Sequence, residues 1–312
     1  MYCKGQLVQL QKDAHLLRAA GLELAAISYD SVGVLADFAK RKSISFPLLS
    51  DHDSAVIRTY GVADRKYRKG MELDIDNEEI YPFPSGNVPV FGLSYPAVFV
   101  VERDHRVKWR FVSEGSELRL TGAAILEQAV GGIAEQSRTI VPSRNIEVTA
   151  SATNIFAGLG NRLQIDLELK IPPGFHVYSP QVGNGYIGVS WKMDDPAGCL
   201  EMGEPTYPEP IRKRMKSTGE NLSVYEGTVR ISREMIVKPV LKASDPSLFK
   251  RFREKCLDAD SRITASGALK FQACDEQRCY PPQTVEPQWK FQFLPPDRQR
   301  SPEEMQREFE QD

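Results

Sequence analysis

The sequence predicts an α/β layer unit followed by an all-β sandwich, and three observations carry that prediction. Helical and strand periodicities alternate over the first 140 residues. Beyond residue 146 the pattern becomes short strands separated by Pro/Gly turns. A polar stretch with one proline, residues 135–146, reads as the linker between them. A chain of 312 residues has the length of about two domains.

In order, Leu7, Leu10, Ala14 and Leu17 fall at helical spacing, and Gly21 stands where a C-cap belongs. Leu22 to Ile27 reads as a buried strand. Ser31 caps a second helix with Val34, Leu35 and Phe38 inward. Phe46 to Leu49 is a brief strand, and Asp51 or Ser54 starts a short helix ending at Tyr60-Gly61. Residues 63–93 show no period and read as a long surface insertion. Ala97 to Val101 and Val107 to Val112 form a hairpin, and Thr121 to Ala134 a helix with Ala124, Leu126 and Val130 inward. In the second unit Leu163, Ile165, Leu167 and Leu169 alternate with polar residues. Further strands are expected at 175–178, 187–193, 224–231, 235–242, 263–273 and 289–294. The tail from Pro295 is charged.

Composition narrows the function. Lys+Arg 40 against Asp+Glu 42 leaves a net charge of -2, without the basic excess that a nucleic-acid partner calls for. No run approaches about 18 apolar residues, so no membrane span is expected. The start Met1-Tyr2-Cys3-Lys4 carries no export signal as written. His15, His52, His105 and His176 are scattered, and phosphate-binding glycine loops, nucleophile elbows and HExxH are absent. No metal or other cofactor is therefore expected. Five cysteines leave at least one unpaired in a monomer.

Tyr2-Cys3-Lys4-Gly5-Gln6-Leu7, Ala26-Ile27-Ser28-Tyr29-Asp30-Ser31, Phe46-Pro47-Leu48-Leu49-Ser50-Asp51 and Pro96 occur in the order of the AhpC/TSA redoxins, which the first 135 residues resemble. The resemblance implies a thioredoxin-like fold. In such folds a Cys-x-x-Cys dithiol sits at the start of the first helix, where thiolate is favoured. Cys3 matches the second, resolving cysteine; the first cysteine and the strand before it are missing. Two readings stay open: an N-terminal truncation, or a natural variant that has lost its dithiol. The resemblance also implies a cis Tyr95-Pro96 bond that positions substrate, against the plain alternative of a trans proline opening a strand. Arg110 is either a thiolate partner or a solvated surface residue.

Phe271-Gln272-Ala273-Cys274-Asp275-Glu276-Gln277-Arg278-Cys279-Tyr280-Pro281-Pro282 is the sharpest motif. A hairpin of this size can bring the two cysteines within disulfide reach. Residues 145–294 resemble the immunoglobulin-like N-terminal periplasmic domain of the thiol:disulfide interchange reductase DsbD, though that family usually has five residues between its cysteines. The resemblance implies a redox pair under a cap loop, here Lys216 to Tyr225, with Leu222 or Tyr225 shielding the sulfurs. A purely structural disulfide is the alternative. Zinc is not expected, because one pair cannot fill a tetrahedral site. Cys199 and Cys256 lack motif context and read as spectators.

Together these readings lead to an expected layout of 1–137 redoxin, 145–295 sandwich and 296–312 tail. The expected function is a thiol oxidoreductase that reduces peroxide or protein disulfides through Cys3, Cys274 and Cys279. Its electrons would come from a thioredoxin-like or DsbD-like donor, in an extracytoplasmic setting by resemblance. An interchange protein without peroxidase activity, or a non-catalytic binding module, are the alternatives.

Overall fold

The computed structural model describes residues 2–64, 94–113, 118–131, 136–183, 185–195, 197–215, 218–238, 246–297 and 299. The N-terminal unit opens with α1 (Tyr2–Ala19), which ends where Gly21 turns to φ +78 and the Leu22 amide donates to Leu17 O. Strand β1 (Ala26–Ser28) runs parallel to β2 (Leu48–Ser50). Helix α2 (Val32–Lys42) lies between them in sequence, started by the Ser31 hydroxyl accepting from the Val34 amide. Lys40, Arg41 and Lys42 occupy its last turn, where the helix dipole favours cations. The Asp51 carboxylate accepts from the amides of Val56 and Ile57 and so caps α3 (Ala55–Thr59).

The stretch expected as an insertion lies, from residue 65 to 93, outside the described residues; its flanks meet, with Ala63 bridged to Ser94. Strands β3 (Ala97–Val101) and β4 (Val107–Val112) form the expected hairpin. Then come β5 (Arg119–Leu120) and α4 (Gly122–Val130), the latter capped by Thr121 and closed by Gly131 at φ +69. Leu10, Leu17, Phe46, Val100, Leu120, Ile125 and Leu126 form the core.

Two expectations fail here. The strand at residues 22–27 shrinks to three residues with Ile27 exposed, and Val130 points outward because the face of α4 that meets α1 is Ala123, Leu126 and Ala129. Among the described residues β1–β2 and β3–β4 are separate two-stranded sheets, not one continuous layer.

The polar stretch read as a linker contains a strand. β6 (Ser137–Val141) pairs with β7 (Glu147–Ala152), because its backbone can complete a sheet edge whatever its side chains. The first large sheet runs β12 (Leu200–Met202), β15 (Gly227–Val237), β9 (Asn161–Ile171), β7, β6, with β5 beside β9. Two strands expected at 224–231 and 235–242 are thus largely one, since Gly227 to Ile236 pairs without a break along β9. The second sheet runs β11 (Ser190–Asp194), β16 (Arg262–Phe271), β19 (Gln288–Leu294), β8 (Phe156–Gly158), with β18 (Gln283–Val285) beside β16. Ile165, Leu167, Leu169, Ile231, Leu269, Phe271 and Phe291 fill the space between, each contributing about 1.5–3 kcal/mol on burial. The Trp289 indole donates to Ser151 O at 2.7 Å and locks one sheet on the other.

A helix with no counterpart in the sequence reading, α5 (Pro246–Cys256), packs Phe252 against Phe293. Cys256 at its end is disulfide-bonded to Cys199, so these two cysteines are not spectators. The bond spans 57 residues and on loop-entropy grounds is worth about 4 kcal/mol.

The two units meet around Asp13, which is buried. Its carboxylate accepts from the Gly122 amide (2.9 Å), Asn154 Nδ2 (3.2 Å), Gln136 Nε2 (3.2 Å) and Gln9 Nε2 (3.2 Å). Among the described residues no helix is long and apolar enough to cross a membrane.

Candidate active site

A small third sheet carries the site: β13 (Ile211–Arg214), β14 (Asn221–Tyr225), β10 (His176–Tyr178) and β17 (Ala273–Cys274) in that order. The cysteine hairpin is built locally. Asp275 Oδ1 accepts from the amides of Gln277 (2.8 Å) and Arg278 (2.9 Å), the geometry that lets an Asp start a turn. These backbone bonds, Arg278 first, hold the Asp275 carboxyl below the usual carboxylate range. Tyr280 donates its hydroxyl to Asp275 Oδ2 at 2.9 Å, and the Arg278 guanidinium lies over its ring. The Tyr280 amide returns to Ala273 O at 2.9 Å and closes the hairpin. Cys274 and Cys279 are thereby bridged to each other and joined in a disulfide, with Cα atoms 4.0 Å apart.

The two sulfurs differ in access. Cys274 is 1% exposed, clustered with Tyr178, Met215, Leu222 and Val224, whereas Cys279 is on the surface. Cys279 opens on a cleft of about 200 Å³ walled by His176, Tyr178, Tyr186, Lys213 and Met215. Tyr178 Oη sits 3.5 Å from Cys279 Sγ, and burial pushes its pKa up, so it is a neutral hydroxyl. Tyr186 lies against the Tyr178 ring and donates to Glu220 Oε2 at 2.5 Å. Lys213 is paired with Glu226.

Of the sequence-predicted residues, Cys274, Cys279 and Leu222 come together. Leu222 covers the buried sulfur from strand β14. Tyr225 does not, because strand alternation turns it into the main core, where its hydroxyl donates to Pro208 O. Met215, on the turn between β13 and β14, joins Leu222 in the cluster around the buried sulfur. His176, Tyr178, Tyr186 and Met215 escaped the sequence reading. Residues 175–178 read as a strand from the sequence, but the register of that strand against Cys274 is a tertiary fact.

Cys3 lies in the first turn of α1, an exposed free thiol, in the N-terminal unit. Arg119, from β5, donates to its Sγ at 3.1 Å; Arg110 is a solvated residue of β4. The Tyr95-Pro96 bond is trans, contrary to the cis expectation. Hydrogen bonds from the Tyr95 amide to Val62 O and from the Ser113 amide to Pro96 O hold the segment extended into β3.

Comparison with known proteins agrees with this division. Residues 1–110 match the AhpC/TSA family, and residues 146–288 match the N-terminal domain family of the thiol:disulfide interchange protein DsbD. The chain therefore joins a thioredoxin-like AhpC/TSA region to a strand-rich, immunoglobulin-like DsbD N-terminal domain. Among solved structures, the N-terminal periplasmic domain of ScsB from Proteus mirabilis is 17% identical with a TM-score of 0.31, covering 49% of this chain and 50% of that one. The Neisseria meningitidis DsbD N-terminal domain in the reduced form is 18% identical with a TM-score of 0.28, covering 48% of this chain and 94% of that one. The chain thus spans about half the length of the ScsB structure that it matches. No curated protein matches it.

Proposed function

We propose that this protein is a thiol–disulfide oxidoreductase whose working centre is the Cys274/Cys279 pair, residues 145–295 forming the exchange domain and 1–137 the redoxin domain. The observation that carries this reading is the asymmetry of the disulfide: an exposed Cys279 at the mouth of a cleft, bonded to a buried Cys274. A thiolate of an electron donor attacks Cys279 Sγ, the Cys279–Cys274 bond breaks, and Cys274 leaves with the electron pair. A second donor thiol then displaces Cys279, releasing the donor's disulfide and leaving both cysteines reduced. In the reverse direction the dithiol reduces a partner's disulfide.

Cys3, beside Arg119, is the candidate thiol of the redoxin domain. Peroxide reduction requires a peroxidatic thiol whose sulfenic acid condenses with Cys3, and the Cys274/Cys279 dithiol then reduces that bond. Carrying both on one chain sets their effective concentration at about mM where geometry allows contact. With its preceding bond trans, Pro96 leads into β3 of this unit's hairpin and is assigned no part in the exchange step. An oxidising, extracytoplasmic compartment suits a chain with two disulfides.

A redox titration with alkylation and peptide mapping of all five cysteines tests this reading. The expected result is that Cys274 and Cys279 exchange together well above the roughly -300 mV of structural bridges, while Cys199–Cys256 stays closed. A Cys274–Cys279 bond that resists reduction as far as Cys199–Cys256 refutes it.

A further inference from the structure

His176 stands directly opposite Cys274 in the antiparallel pairing of β10 with β17. Facing residues of such a pair project to the same side with Cβ atoms about 5 Å apart. The imidazole is 2% exposed, and neither ring nitrogen has a hydrogen-bond partner among the described residues. Leaving a buried polar group unpaired is destabilising, so the site keeps an unpaired base beside a sulfur at a stability penalty. The same ring lines the cleft on which Cys279 opens. It therefore connects the buried sulfur to the accessible one.

Cys274 needs such a neighbour. When the reduced pair acts on a partner disulfide, Cys279 reacts first because it is accessible. Cys274 must then lose its proton while enclosed by Tyr178, Met215, Leu222 and Val224, where water has little access. Tyr178 is no substitute, since its own proton is held more tightly than usual.

We propose that His176 is the proton acceptor for the Cys274 thiol in the step that resolves the mixed disulfide. This rests on the exchange reading of the Cys274/Cys279 pair. The Cys279 thiolate, its proton lost to solvent, attacks one sulfur of the partner disulfide and expels the first partner thiolate. The Cys274 S–H proton passes to the imidazole, and the Cys274 thiolate attacks Cys279 Sγ. The bond from Cys279 to the partner breaks, expelling the second partner thiolate, which takes the proton from the imidazolium. The cysteine pair loses two electrons and the partner disulfide gains two.

Burial above all keeps the ring unprotonated and ready. Burial, with Lys213 on β13 adding to it, lowers the His176 pKa, against a smaller upward pull from Glu226 after β14 and Asp275 in the hairpin. Tyr178 meets the ring edge-on from its own strand, with centroids 5.3 Å apart.

The test uses the full chain, reduced at Cys274 and Cys279, mixed with a symmetric aromatic disulfide. Acid quench and mass mapping follow the mixed disulfide on Cys279 as it forms and decays. In the native protein the decay rate should flatten above the titration of a histidine and stay flat through neutrality, over a range from about pH 5 to about pH 9. In His176→Gln and His176→Phe it should be slower by about 100-fold or more near neutrality and converge on the native rate at high pH, where the thiol ionises unaided. Formation of the Cys279 adduct should be unchanged in both variants. A His176→Gln protein that resolves at the native rate with the native pH profile overturns the proposal and leaves the exchange reading standing. So does a native profile that climbs tenfold per pH unit through neutrality, a result that requires no variant to fold. A native protein that forms no adduct at Cys279, or never resolves it, removes the exchange reading and this proposal together.

Discussion

Asp13→Ala should loosen the junction between the two units. The carboxylate accepts four hydrogen bonds, and two come from groups with little freedom to turn elsewhere. The Gly122 amide lies in the first turn of α4 and has no partner within its helix, and the Asn154 side chain is buried. At about 1–3 kcal/mol for each stranded donor, these two give about 2–6 kcal/mol. Removing a desolvated carboxylate returns part of this, so a net loss of about 3 kcal/mol is expected. Asp13→Asn keeps an acceptor toward Gly122 and Asn154, while the Gln136 amide can reverse to meet the new NH2 group; it should cost about 1 kcal/mol or less.

The pH dependence separates these variants further. Burial raises the Asp13 pKa against the pull of its four hydrogen bonds. The folded protein then binds more protons than the unfolded chain between 3.8 and the raised native value. Asp13 therefore makes stability fall as pH climbs through that window, and Asp13→Asn should lack this component. Urea denaturation followed by tryptophan fluorescence reports on both units, through Trp109 in one and Trp191 and Trp289 in the other. A loss below about 0.5 kcal/mol in Asp13→Ala, or equal losses in Ala and Asn, would refute the reasoning.

Gly122→Ala should destabilise the same junction, because an added Cβ would lie 2.3 Å from Asp13 Cβ; a melting temperature within error of the native value would contradict this. Leu222→Ala should cost about 2–5 kcal/mol by opening a cavity, and should speed reduction of Cys274–Cys279 by dithiothreitol as the cover over the buried sulfur thins. Cys199→Ser should lower stability by about 4 kcal/mol in urea while leaving exchange at Cys274/Cys279 intact, as mass mapping would report. The hairpin held by Asp275 should loosen as pH falls: its lowered pKa supports the turn above the unfolded carboxylate value, and that support is lost through the lower native value. Hydrogen exchange at the Gln277 and Arg278 amides, compared with Asp275→Asn, checks this.

The β-rich second unit was legible where side chains alternate over long runs. Leu163 to Leu169 and Trp289 to Phe293 declare a buried face by residue type alone. Elements whose existence depends on a partner and not on their own side-chain pattern were not legible. β6 is polar and became a strand by pairing with β7, and α5 gains its place from Phe293 and from Cys199. In the first unit the helices carried their own caps, Ser31 and Thr121, and were readable for that reason. The same local logic misplaced Val130, because which face of a helix turns inward depends on what lies beneath it.

The sequence by itself determined that the two cysteines, with four residues between them, can be brought within disulfide reach by one short hairpin, since that spacing is local chemistry. It also determined the order of an α/β unit before a sandwich, because hydrophobic period is written residue by residue. Only the tertiary structure decided that Cys279 faces outward, that Cys274 lies beneath Leu222 and Met215, and that His176 stands beside it. It also paired Cys199 with Cys256. Such juxtapositions join residues tens of positions apart through strand register and sheet closure, and no local propensity encodes them.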